Sequence, residues 1–89
     1  MIAEKVKVPQ ECLTFKYNKQ YDILEVFIKD VVPAISDEIY YGIYDFYDRK
    51  TDELIGFSIM DYTKRDKKYL KKLLPFNLNF DYIDNNIIN

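Results

Sequence analysis

Alternation of apolar and polar side chains dominates the chain, and helical spacing appears once, after residue 63. Leu13, Phe15 and Tyr17 alternate with Thr14 and Lys16, the pattern of a half-buried strand. Residues 18–22 carry turn chemistry. A second strand is expected over 23–28, with Leu24, Val26 and Ile28 on one face and Ile23, Glu25 and Phe27 on the other. Residues 29–38 read as a loop, interrupted by Pro33 and polar at Ser36, Asp37 and Glu38. A third strand is expected over 39–47, with Ile39, Tyr41, Ile43 and Tyr47 on one face and Tyr40, Tyr44 and Phe46 on the other. Apolar on both faces, it is expected to be central and covered on both sides. Residues 48–53 form a second turn. A fourth strand over 54–61 directs Ile55, Phe57 and Ile59 to the core, and Gly56 signals a bulge or a close approach by another group.

The pattern then changes. Tyr69, Leu70, Leu73 and Leu74 fall on one side of a helix, which Thr63 or Asp61 can cap and Pro75 ends. The tail resumes period two, with Phe76, Leu78, Phe80 and Tyr82 against Asn77, Asn79 and Asp81, which predicts a fifth strand paired within the chain or with a partner. Residues 1–11 read as a short edge strand or arm, and 84–89 as a frayed end. The expected fold is α+β: an antiparallel meander of four to five strands with one C-terminal helix packed on it.

At 89 residues the chain reads as one domain, 1–89, whose core needs reinforcement. Cys12 is the lone cysteine and histidine is absent. An internal disulfide is therefore impossible and a structural zinc site is disfavoured. A homodimer is the expected supplement. The N-terminus lacks the apolar core of a signal peptide and no run suits a membrane span, so the expected location is cytoplasmic. The charge is uneven. Residues 1–63 balance to −5, residues 64–74 to +5 and the remainder to −2, an acidic body with one basic stripe.

Catalysis without histidine would fall to shifted Asp, Glu, Lys or Tyr groups. Asp45, set among apolar neighbours, and Asp61 are the candidate carboxylates. A paired or solvent-facing Asp45 is the simpler reading, and the chain is read as non-enzymatic, with no cofactor and no metal. Asp45, Asp48, Asp52 and Glu53 could attract a hard cation, but three of them lie in a turn where Asp bonds its own backbone. Cys12 reads as a small core or edge residue rather than a reactive thiol. Lys64, Arg65, Lys67, Lys68, Lys71 and Lys72 form the candidate binding surface, either a solvated helix face, a track for nucleic-acid phosphates or a contact for an acidic protein. Tyr40, Tyr44, Phe46, Phe80 and Tyr82 are the candidate interface, since exposed apolar patches are usually covered.

Residues 15–61 resemble a family of short prokaryotic proteins, the domain-of-unknown-function family 2283. The likeness is carried by Tyr21-Asp22-Ile23-Leu24-Glu25-Val26-Phe27-Ile28, by Gly42-Ile43-Tyr44-Asp45-Phe46-Tyr47-Asp48 and by Ile55-Gly56-Phe57-Ser58-Ile59. Ser58 stands where the family tends to have Glu, and Asp45 where an apolar residue is usual. The resemblance implies a small antiparallel sheet with no established activity. Some members of that family lie beside toxin genes, so the resemblance implies an antitoxin-like or accessory role with a toxin as partner.

Overall fold

The computed structural model describes residues 13–28, 32–74 and 78–88. Five strands form one antiparallel sheet: β1 (Thr14–Asn18), β2 (Ile23–Phe27), β3 (Ala34–Tyr40), β4 (Ile43–Asp48) and β5 (Leu54–Met60), in the order β1-β2-β5-β4-β3. The class is α+β, but the sheet is not the simple meander expected. A β1–β2 hairpin and a β3–β4–β5 meander are joined by pairing of β2 with β5. The chain must therefore pass from inside the sheet to its far edge between β2 and β3.

The expected third strand is two strands. Tyr41 and Gly42 turn the chain, and Gly42 has φ 77°, a conformation open to glycine. The expected loop before it is largely β3. Its polar residues reflect an edge strand wetted on both faces, and every residue of Ala34–Tyr40 is exposed. The fully covered strand is β5, buried from Ile55 through Ile59.

Register divides the sheet into two faces. Phe15 and Tyr17 of β1, Leu24 and Val26 of β2, Phe57 and Ile59 of β5, and Ile43 and Asp45 of β4 line up on one face. That face packs against Tyr62, Leu70, Leu74, Leu78, Phe80 and Ile83 to make the core. On the other face Gly56 lies between Phe27 and Phe46 in register. Their rings stack across it, 5.7 Å between centroids and 11° from parallel. A Cβ on Gly56 would meet the Val26 carbonyl oxygen and lie 2.8 Å from the Phe27 ring. The β4–β5 pairing shifts register at the next step, between Phe46 and Tyr47, passing over Ile55 of β5.

The segment after β5 is shorter in helix than its charge pattern suggests. A 3₁₀ turn, Tyr62–Lys64, is separated by extended Arg65 from α1 (Lys67–Leu73). Asp61 precedes the turn in a left-handed conformation and makes no side-chain cap. Asp66 caps α1 instead, accepting from the Lys68 N–H at 2.9 Å. The expected tail strand is also corrected. Asn79 accepts from the Tyr82 N–H and starts α2 (Phe80–Ile83), and a π-helical turn, Asp84–Ile88, follows. Phe80 and Ile83 are buried and Ile87 packs on the core, a spacing of three and four that suits a helix rather than a strand. Residues 84–88, expected to fray, are anchored by the Tyr62 hydroxyl, which donates to Asp84 Oδ1 at 3.0 Å. The expectations for residues 1–11, Cys12, Pro75, Phe76 and Asn77 fall outside the described residues.

Candidate interaction surfaces

The free edge of the sheet is the surface most open to a partner. Among the described residues β3 pairs only with β4, so one side of its backbone has no strand against it. An unpaired edge is a template for another strand. The opposite edge, β1, is shorter, and its Phe15 and Tyr17 are packed on the core. Along β3 the register places Ile35 beside Tyr47, Asp37 beside Asp45, and Tyr40, past a bulge, beside Ile43. The face shared with the helices thus reads apolar, acidic, aromatic. Tyr40 meets Tyr69 of α1 edge-on, 5.4 Å between centroids. Tyr41, in the turn, is 82% exposed.

Asp45 is the anomaly beside this edge. It is only 6% exposed, yet Oδ1 has no hydrogen-bond partner. Oδ2 accepts a long bond, 3.3 Å, from the Tyr47 hydroxyl. Burial pushes the Asp45 carboxyl above its ordinary range, the Tyr47 bond pulls it back, and the charge of Asp37 pushes it up further. Asp37, assigned from sequence to a loop, supplies that neighbouring charge. Ile35 and Ile39 at period two about Asp37 were the available signal.

The five aromatic residues expected to form one interface do not share a surface. Tyr40 is on the helix-bearing face, and Tyr44 and Phe46 are half-buried on the other. Phe80 is in the core, and Tyr82 is partly exposed with its ring 6.0 Å from Phe15. The turn at Gly42 and the helical tail are the physical reasons for the dispersal.

The six cations also divide. Arg65 Nε donates to the Met60 carbonyl and its Nη2 to the Tyr41 carbonyl, each at 2.6 Å. Its guanidinium is thereby committed to clamping the β3–β4 turn to the end of β5. Lys67 Nζ donates to the Tyr62 carbonyl at 2.9 Å and sits 3.8 Å from the centre of the Tyr62 ring. Burial lowers the Lys67 ammonium, against the pull of Asp84 and Asp22. Lys64, Lys68, Lys71 and Lys72 are exposed. Lys67, Lys68 and Lys71 line a cavity of about 420 Å³ together with Asp81 and Asp84, among others. Asp61 lines a smaller cavity, about 200 Å³, with Glu38, Tyr41 and Tyr44.

The acidic turn is held by its own backbone. Asp48 accepts from the Lys50 N–H at 2.8 Å, and Asp52 adopts φ 60°. Among the described residues no three His, Cys, Asp or Glu side chains converge as a metal site, and no helix is long and apolar enough to cross a membrane.

No family model matches the chain, and no solved structure matches it. Over 71 residues, 80% of this chain, it is 32% identical to response regulator aspartate phosphatase J of Bacillus subtilis (strain 168). The chain spans about 18% of the length of that curated relative.

Proposed function

We propose that this chain is a non-enzymatic interaction module that binds an extended segment of another protein along the free edge of β3. One observation carries the reading: seven consecutive strand residues, Ala34–Tyr40, are exposed and, among the described residues, paired on one side only. Strand addition to such an edge draws affinity from main-chain hydrogen bonds and selectivity from alternate side chains. The likeness to response regulator aspartate phosphatase J covers too little of that protein to bring an activity with it. The order of motifs shared with domain-of-unknown-function family 2283 supports an accessory or antitoxin-like role, with a toxin as the partner. A lone cysteine suits a reducing compartment such as the cytoplasm.

Homodimerisation belongs to the same proposal. Antiparallel self-pairing centred on β3 would bring Asp37 against its own copy, a like-charge contact that destabilises a strand pair. The proposed dimer therefore uses the opposite sheet face, around Phe27, Tyr44 and Phe46. Light scattering at high micromolar concentration tests this part, and a strict monomer removes it.

The test of strand addition is a titration of the isotope-labelled chain with a capped seven-residue peptide. The peptide has threonine at odd positions, valine at the second and sixth and glutamine at the fourth. The expected result is amide shifts and slowed hydrogen exchange concentrated in Ala34–Tyr40. Millimolar peptide that leaves those amides unchanged overturns the reading.

The alternative is a nucleic-acid-binding surface on the basic segment. The exposure of Lys64, Lys68, Lys71 and Lys72 favours it. The engagement of Arg65 and Lys67 within the fold leaves fewer cations for phosphate than the sequence suggests.

A further inference from the structure

We propose that the partner segment taken up by β3 is basic at its centre, with a lysine or arginine set opposite Asp37 and reaching the Asp45 carboxylate. This rests on the strand-addition reading and names the chemistry of the segment that satisfies it.

Asp37 and Asp45 are register partners on adjacent strands and point to the same face. An incoming strand next to β3 places one of its side chains beside Asp37 on that face, since paired residues in a sheet share a side. Neighbouring strands are about 4.8 Å apart, so a lysine or arginine there can extend past Asp37 toward Asp45. What it finds is a carboxylate oxygen that is buried and without a donor. Leaving such an acceptor unpaired costs about 1–3 kcal/mol. A cationic donor satisfies it and offsets one of the two neighbouring negative charges. An acidic residue in the same place would add a third like charge.

The flanking positions complete the pattern. Ile35 precedes Asp37 on this face, and Tyr40 follows beyond the bulge. The complementary segment therefore carries apolar residues on either side of its central cation, spaced by two. The other face of β3 presents Ser36 and Glu38, which suits small polar residues such as threonine. Asp37 at the middle of the exposed edge also opposes pairing with a second copy, so the same charge that admits a basic strand disfavours this chain's own β3.

Three peptides that differ at one position test the proposal. Each is the capped threonine–valine heptamer described above, with lysine, glutamine or glutamate at the fourth position, titrated at low salt while the Ala34–Tyr40 amides are followed. The lysine peptide is expected to bind about tenfold more tightly than the glutamate peptide, the scale of a desolvated charge contact. In Asp37→Asn protein that ratio is expected to fall to about twofold. In Asp48→Asn protein, which removes a charge of the same sign from the β4–β5 turn, it is expected to persist. Lysine and glutamate peptides that bind the unaltered chain equally overturn the basic-segment proposal. If the glutamine peptide still shifts β3 in that case, strand addition itself stands. If none of the three shifts β3, both readings fall. A ratio that collapses equally in Asp48→Asn protein assigns the preference to overall charge and also overturns the proposal.

Discussion

Thr63 gives its backbone N–H to both carboxylate oxygens of Asp22, at 3.2 and 3.1 Å, and its hydroxyl to Oδ2 at 2.7 Å, across 41 positions of sequence. Tyr17 adds a hydroxyl bond to Oδ1 at 2.8 Å, and the Asp22 carbonyl accepts from the Tyr62 N–H. One residue of the β1–β2 turn thereby fixes where the 3₁₀ turn leaves the sheet. Asp22 itself has φ 54°, which Asp and Asn tolerate better than most residues.

Asp22→Ala is expected to lower stability by about 3 kcal/mol, combining lost bonds to a charged acceptor with the strain of a left-handed alanine. Asp22→Asn, which keeps one acceptor and the backbone preference, is expected to cost about half as much. Urea unfolding checks both. A shift of either variant below about 0.5 kcal/mol would show that the contact is dispensable.

Asp22 and Asp45 respond oppositely to acid. Partial burial raises the Asp22 carboxyl, but the bonds from Thr63 and Tyr17 outweigh it and hold the group below its ordinary 3.8. Its contribution is present above pH 3.8 and is lost as pH falls through the folded value. Asp45 is raised above 3.8, with burial as the main cause. Its charged form is a penalty at neutral pH, relieved as pH falls through the raised folded value toward 3.8. Asp45→Asn is expected to stabilise the neutral protein by about 1 kcal/mol and to remove the gain in stability on mild acidification. Thermal unfolding from pH 7 to 4 measures this. An unchanged profile in the variant would assign the acid response to other groups.

Gly42 and Arg65 are expected to couple. A Cβ on Gly42 would overlap the Arg65 guanidinium, so Gly42→Ala carries both positive-φ strain and a clash. The expected loss is about 2 kcal/mol, and Arg65→Met, which frees two carbonyls, is expected to cost a similar amount. Their combination should fall short of the sum by about 1 kcal/mol, because removing the guanidinium removes the clash. Strict additivity in a double-mutant cycle would contradict this geometry.

If the basic segment binds nucleic acid, its cations should act unequally. Lys68→Ala and Lys71→Ala are each expected to reduce the slope of log affinity against log salt by about 1, as for a lost phosphate contact. Lys67→Ala is expected to leave that slope unchanged while lowering stability, since its ammonium is held over Tyr62. Mobility shifts across a salt series separate the two. Equal slopes for all three variants would mean that the pairing of Lys67 with Tyr62 does not govern its availability.

The legible part of this fold is the part with one face on a core. Period two marks residues 13–17 because Leu13 is buried and Phe15 and Tyr17 are half-buried there while Thr14 and Lys16 are exposed, and residues 54–59 are legible as an apolar run buried without alternation from Ile55 through Ile59. Asn18, Asp22, Asp48 and Asp52 mark turns because their side chains or left-handed backbones make them. β3 escapes such a reading because an edge strand wetted on both faces has no reason to alternate. The tail misleads for a different reason. Leu78, Phe80 and Tyr82 alternate, but Tyr82 is exposed, and the residues that pack are Leu78, Phe80 and Ile83, with Ile87 and Ile88 against them. At the proposed site Asp45 was visible as a carboxylate among apolar neighbours, but its partner Asp37 was hidden by the loop assignment. The roles of Arg65 and Lys67 were not visible, because both donate to backbone carbonyls that composition does not reveal.

The stack of Phe27 on Phe46 has a consequence for sequence divergence. The two rings come from strands on either side of β5 and meet only because position 56 has no side chain. Three positions from three strands are thereby bound into one steric unit. Shrinking either ring would not admit a larger residue at 56, because its Cβ would first strike the Val26 carbonyl oxygen of the β2 backbone. Position 56 is therefore expected to stay glycine wherever aromatic residues are kept at 27 and 46.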